Sequence, residues 1–108
     1  MAEVLTIEEL RNRIDVIDDQ LVRLLNVRVA CAVEVGRLKH EAGLAIYQPE
    51  REAQVLGRVK QSATDLSGPL TAEAVMRIFE RIIDEARRAE RVAAERREGV
   101  SGVSNQET

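Results

Sequence analysis

IEELRNRIDVIDDQLVRLLNVRVACAVEVGRLKHEA, residues 7–42, decides the architecture. Ile7, Ile14, Leu21 and Val35 fall on one heptad position, and Leu10, Ile17, Leu24, Cys31 and Leu38 on the other. This 3-4 spacing persists for about five heptads, the pattern of a helix packed along a long seam. Thr6 followed three residues later by Glu9 is a capping-box signature, and Ala42-Gly43 predicts the stop. Gly36 interrupts the stretch at a cost of about 1 kcal/mol relative to alanine. Cys31 reads as a small core residue.

A helix over 7–42 runs on the order of 50 Å at 1.5 Å per residue. A compact domain of this length has a radius of gyration near 13 Å, so its diameter is only about 35 Å. Two shorter helices cannot cover the whole seam, and the sequence therefore predicts a homodimer in which long helices interlock. A single long helix bent at Gly36 is the competing reading.

Glycine and proline divide the remainder. Gly43 with Pro49 marks one break, and Gly68-Pro69 the second. Helices are predicted over 49–64 and 72–97. Pro49 takes the first helical position of the former, and Thr71 caps the latter. Val55, Leu56, Val59 and Ala63 form the apolar stripe of the second helix; Val75, Ile78, Phe79, Ile82, Ile83, Ala86 and Ala93 form that of the third. The fold class is all-α, with three helices per chain in an intertwined homodimer. Residues 1–94 form one domain, and 95–108 read as a disordered polar tail.

The 108 residues are 44% hydrophobic but only 2% aromatic, so the core is aliphatic. A net charge of -3 gives no basic excess for nucleic acid. No apolar run approaches the ~20 residues of a membrane span, and no signal-peptide stretch opens the chain; the expectation is a cytoplasmic protein that engages no membrane. One cysteine and one histidine leave no His/Cys metal cluster.

Charges on the apolar faces carry the functional reading. Arg28 occupies the heptad position of Ile7, Ile14, Leu21 and Val35, where an unpartnered guanidinium costs several kcal/mol. Lys39 follows about three turns later on the same side, some 16 Å along the axis. Two cations on one inward face suggest an anion site; a structural ion pair is the plainer alternative. Glu52 falls on the stripe of Leu56, Val59 and Ala63, either to pair with Arg28 or Lys39 or to accept a hydrogen bond from a ligand hydroxyl. Glu90 continues the row of Ile83 and Ala86, with fraying into solvent as its alternative. His40 lies off the Lys39 direction and is expected exposed. A site of cations and an acid, with no nucleophile–base pair, suits binding of a small polyanion or a reaction that needs only orientation and charge stabilisation.

LRNRIDVIDDQLVRLLNVRVACAVEVGRLK, then IYQPEREAQVL and IFERIIDEARRAE, closely resembles the all-helical chorismate mutases over about residues 5–91. The resemblance implies intertwined dimers with two sites, and rearrangement of chorismate to prephenate without cofactor or metal. It makes Lys39 and Glu90 catalytic, Lys39 contacting the side-chain carboxylate and ether oxygen of the substrate and Glu90 facing that oxygen. Arg28 would grip a substrate carboxylate, Glu52 would accept from the ring hydroxyl, and Arg51 would lie beside it. Arg11 would enter the partner subunit's site; it lies about 25 Å from Arg28 along the helix, too far to share a small ligand in cis. Three positions depart from the family pattern. Gln48 stands where Asp is frequent, Ala86 where several relatives carry a hydroxyl, and Glu90 where Gln is common. Glu90 must be protonated to donate. An isochorismate-pyruvate lyase on the same fold, or a non-catalytic helical dimerisation or adaptor module, are the alternatives. Docking onto another shikimate-pathway enzyme is left open by the residues.

Overall fold

The computed structural model describes residues 4–45 and 47–107, with side chains as far as 99. It contains three helices, α1 (Ile7–Glu41), α2 (Pro49–Leu66) and α3 (Ala72–Glu107), and no strand among the described residues.

Local chemistry sets the boundaries. Thr6 Oγ1 accepts from the Glu9 backbone N–H at 3.1 Å, and Glu9 Oε2 accepts from the Thr6 N–H at 2.8 Å, closing the expected capping box. Ala42 caps the far end of α1, and Gly43 takes φ 69°, a left-handed turn that glycine enters without a Cβ clash. Pro49 opens α2 at its first position. Ser67 ends α2 in the left-handed region with φ 51°, just ahead of Gly68-Pro69. The Thr71 hydroxyl accepts from the Ala74 N–H at 3.0 Å at the start of α3.

α3 is the hub. It packs on α1 and on α2, whereas α1 and α2 do not pack on each other. The buried core is Val55, Val59 and Ala63 of α2 with Ala86 of α3. Leu56, Val75, Phe79, Ile82, Ile83 and Ala93 are half-buried around it, and Ile78, expected on the apolar face, is 49% exposed. Each buried valine contributes on the order of 2 kcal/mol. Four small side chains are a slight core for a chain that must offset roughly 1–2 kcal/mol of backbone entropy per residue.

The heptad seam of α1 is open at every position but Arg28. Residues 7–27 are all exposed, and so are Cys31, Val35 and Leu38. The half-buried positions of α1 lie in its C-terminal half: Arg28, Val29, Ala32, Val33, Gly36, Arg37 and Lys39. Val29, Ala32, Val33 and Gly36 form a stripe beside the seam, so the covering of the seam by the shorter helices is confined to Arg28. Cys31 is accordingly exposed and not a core residue. The chain measures 74 × 31 × 17 Å with a radius of gyration of 19.4 Å, well above the ~13 Å of a compact domain.

α3 also departs from expectation at its end. It continues to Glu107, beyond the end near 97 that the sequence predicts. Extending an existing helix fixes one residue per hydrogen bond, and Glu95-Arg96-Arg97-Glu98 are good helix formers, so polarity alone does not stop it. Thr108, and residues 1–3 of the expected 1–94 domain, lie outside the described residues.

Candidate functional site

A cavity of about 1090 Å³ opens between the C-terminal half of α1, the start of α2 and the middle of α3. Its lining carries eight Lys and Arg side chains against four carboxylates, so an acidic chain holds a locally cationic pocket. Of the residues singled out in the sequence, Arg28, Lys39, Gln48, Arg51, Glu52, Ala86 and Glu90 all line it. Arg11 does not; it is exposed on the uncovered N-terminal half of α1.

Each side chain arrives there for a local reason. Arg28 lies where the seam borders the stripe that packs on α3, and its guanidinium stands over the Phe79 ring, 5.8 Å from the centroid. Lys39 is half-buried three turns further on. Gln48 caps α2 through its backbone, its carbonyl accepting from the N–H groups of Arg51 (3.2 Å) and Glu52 (3.4 Å), with no side-chain cap. Ala86 is buried in the cavity wall. His40 is exposed at the edge.

Glu52 has neither of the partners expected for it. Its Oε1 accepts both Nε–H (2.7 Å) and Nη2–H of Arg87, a cation that the sequence reading passed over. Arg87 also covers the ring of Tyr47, 5.7 Å from the centroid, and lies 3.5 Å from Asp84. The signal for Arg87 was present: it follows Phe79 at i+8 and Ile83 at i+4, a cation continuing a row of the buried face. Nothing local could pair it with Glu52, 35 residues away.

Glu90 is half-buried against Gly36. Burial pushes its carboxyl above the ordinary carboxylate range, opposed by the nearby charges of Lys39 and Arg87. Arg37, by contrast, is turned to its own helix, paired with Glu34 and Glu41. The lining thus offers cations to bind an anion, one carboxylate held by arginine, and one carboxyl inclined to keep its proton. No group of metal-ligating side chains is present among the described residues.

The sequence matches the family model described as chorismate mutase type II over residues 10–91. The chain belongs to the chorismate mutase type II family. It is 44% identical over 91 residues to a bifunctional chorismate mutase/prephenate dehydratase of Neisseria gonorrhoeae, covering 80% of this chain and 24% of that protein. A protein of the same description from Aquifex aeolicus is 36% identical over 78 residues, 71% of this chain and 22% of its own. A chorismate mutase of Methanocaldococcus jannaschii is 34% identical over 53 residues, 49% of this chain and 54% of its own. The chain therefore spans about a quarter of the length of the two bifunctional relatives. The matched segment contains every cavity position named above as well as Arg11, so the family assignment and the pocket concern the same residues. No helix among the described residues is long and apolar enough to cross a membrane.

Proposed function

We propose that the cavity binds chorismate and accelerates its Claisen rearrangement to prephenate. The observation that carries this reading is the convergence of Arg28, Lys39, Glu52 and Glu90, from three helices, on one cationic pocket of a type II chorismate mutase chain. The reaction breaks the ether C–O bond and forms a C–C bond within one molecule, so neither nucleophile nor cofactor is required. Catalysis then rests on holding the enolpyruvyl arm over the ring and stabilising negative charge on the ether oxygen.

In this reading Arg28 grips one substrate carboxylate with its planar fork. Lys39 meets the side-chain carboxylate and the ether oxygen. Glu52 accepts from the ring hydroxyl, flanked by Arg51 and Gln48. Ala86 leaves that wall without a hydroxyl donor. Protonated Glu90 donates to the ether oxygen, and its raised pKa is what makes a carboxyl usable as a donor.

The working unit is a homodimer, with Arg11 of the partner subunit completing each site. Two observations support it. The chain exposes 8969 Å², against about 6000 Å² for a compact monomer of this mass. The excess is of the size that obligate dimers bury, and Ile7, Leu10, Ile14, Ile17, Leu21, Leu24, Val35 and Leu38 on the heptad seam are all exposed. The deciding experiment is a progress curve with chorismate, with isochorismate in parallel. Accumulation of prephenate is expected; no conversion of chorismate, or pyruvate release from isochorismate alone, overturns the reading.

A further inference from the structure

α1 and α2 form two walls of the cavity without packing on each other, so α3 alone sets their relation at the mouth. Below the mouth the link is apolar, through Val55, Val59, Ala63 and Ala86. At the mouth the link between α2 and α3 is polar, and among the described residues Arg87 makes it. Arg87 sends two N–H groups to Glu52 at the start of α2 and lays its guanidinium on Tyr47, in the connection leading to α2.

We propose that Arg87 is the positioning residue of the site, holding the Glu52 carboxylate with Oε1 occupied and Oε2 directed to the ligand hydroxyl. This rests on the reading of the cavity as a chorismate site. The geometry favours positioning over direct ligand binding. Both arginine bonds fall on the same carboxylate oxygen, and the guanidinium face is taken by the Tyr47 ring, so the fork is committed to protein groups. Oε2 of Glu52 has no protein partner among the described residues. The pair also answers an electrostatic problem. A bare carboxylate in a pocket for a dianion repels it, and the adjacent guanidinium offsets that charge while leaving an acceptor atom in place. Held from one side by two bonds, the carboxylate cannot swing to Arg51 or Arg28, and the acceptor is ready before the ligand arrives.

The test is a double-mutant cycle with chorismate as substrate, made on the full chain. Arg87→Met, which keeps the stem and removes the fork, is expected to lower kcat/KM by about 10–100-fold, the scale of a misplaced catalytic group. Arg87→Lys, with a single point charge for the fork, should fall between Met and wild type. In a Glu52→Ala background the Arg87→Met step should cost less than about 3-fold, because the group it positions is already gone. An equal loss in both backgrounds overturns the proposal, since Arg87 would then act on the ligand directly. So does a rate for Arg87→Met within 2-fold of wild type. Melting temperatures recorded alongside exclude a merely structural role: a loss of rate only in proportion to a loss of folded protein also overturns it. An inactive wild type would instead overturn the chorismate reading, which keeps the two failures apart.

Discussion

The Glu90 carboxylate on α3 rests against Gly36 on α1: a methyl group built on Gly36 would lie 3.5 Å from Glu90 Oε2 and 3.6 Å from its Cγ. That is ordinary van der Waals contact, so the glycine brings the two helices together with room for one carbon. Helical glycine is less favourable than alanine by up to about 1 kcal/mol, chiefly through the entropy of the unfolded chain. Gly36→Ala should therefore raise stability by about 0.5–1 kcal/mol, read as a higher melting temperature. A lower one would mean that the Glu90 contact admits no methyl.

The same contact withholds water from Glu90, and the pH dependence follows from it. Burial raises the carboxyl pKa in the folded chain above its ordinary 4.5. Between those two values the folded state binds more protons than the unfolded one. Stability contributed by protonated Glu90 is thus present below pH 4.5 and lost as pH rises through the raised value. Activity should move in the same direction, because in the proposed mechanism only the protonated carboxyl can donate to the ether oxygen. The expected kcat/KM falls as pH climbs through that range, and Glu90→Gln, a permanent donor, removes the fall. Superimposable pH profiles for the two proteins would end this assignment.

These two residues also show what the sequence made legible. Thr6 with Glu9, Pro49 and Thr71 were readable as helix boundaries because capping chemistry acts within about four residues. Glu90 was half-legible: it continues the row of Ile83 and Ala86, but spacing alone left solvent as its alternative. The role of Gly36 was not legible, since a gap in a heptad pattern does not say which helix fills it. Cys31 failed for a related reason. Two stripes on α1 are apolar, and periodicity cannot tell which of them α3 covers; the smaller side chains of Ala32 and Gly36 allow the closer approach. The Glu52–Arg87 pair joins two helices across 35 residues of chain and left only the i+4 row as a trace. The end of α3 was not legible because the apolar stripe fades near Arg97 while no proline follows to stop the helix.

Arg28 and Phe79 separate the shape of a cation from its charge. The guanidinium over the ring is held in one plane, fit for bidentate contact with a carboxylate. Arg28→Lys keeps the charge and loses the plane; kcat/KM should drop by at least about 100-fold, the cost of losing a charge-assisted bidentate contact. The melting temperature should change little. Phe79→Leu keeps the apolar volume but removes the stacking face, worth about 0.5–1 kcal/mol, and should cost only about 2–5-fold. A near-wild-type rate for Arg28→Lys would make Arg28 a structural residue.

The role proposed for Arg11 requires a second chain, and that requirement can be measured. It sits on a stretch of α1 where every residue is exposed, while Arg28 lines the cavity. About 25 Å of helix separates them, more than one small ligand spans. If each site takes Arg28 from one subunit and Arg11 from the other, Arg11→Ala and Arg28→Ala homodimers are both crippled at two sites. Unfolding and refolding an equal mixture makes half the dimers mixed, and each mixed dimer has one site with both arginines intact. The mixture should then recover about a quarter of the wild-type rate, as two-fold symmetry dictates. If both arginines served the same site in cis, no combination of the two variants would restore an intact site. Sedimentation of the wild type as a dimer, together with recovery in the mixture, supports the shared site. A monomeric wild type, or a mixture no more active than its components, refutes it.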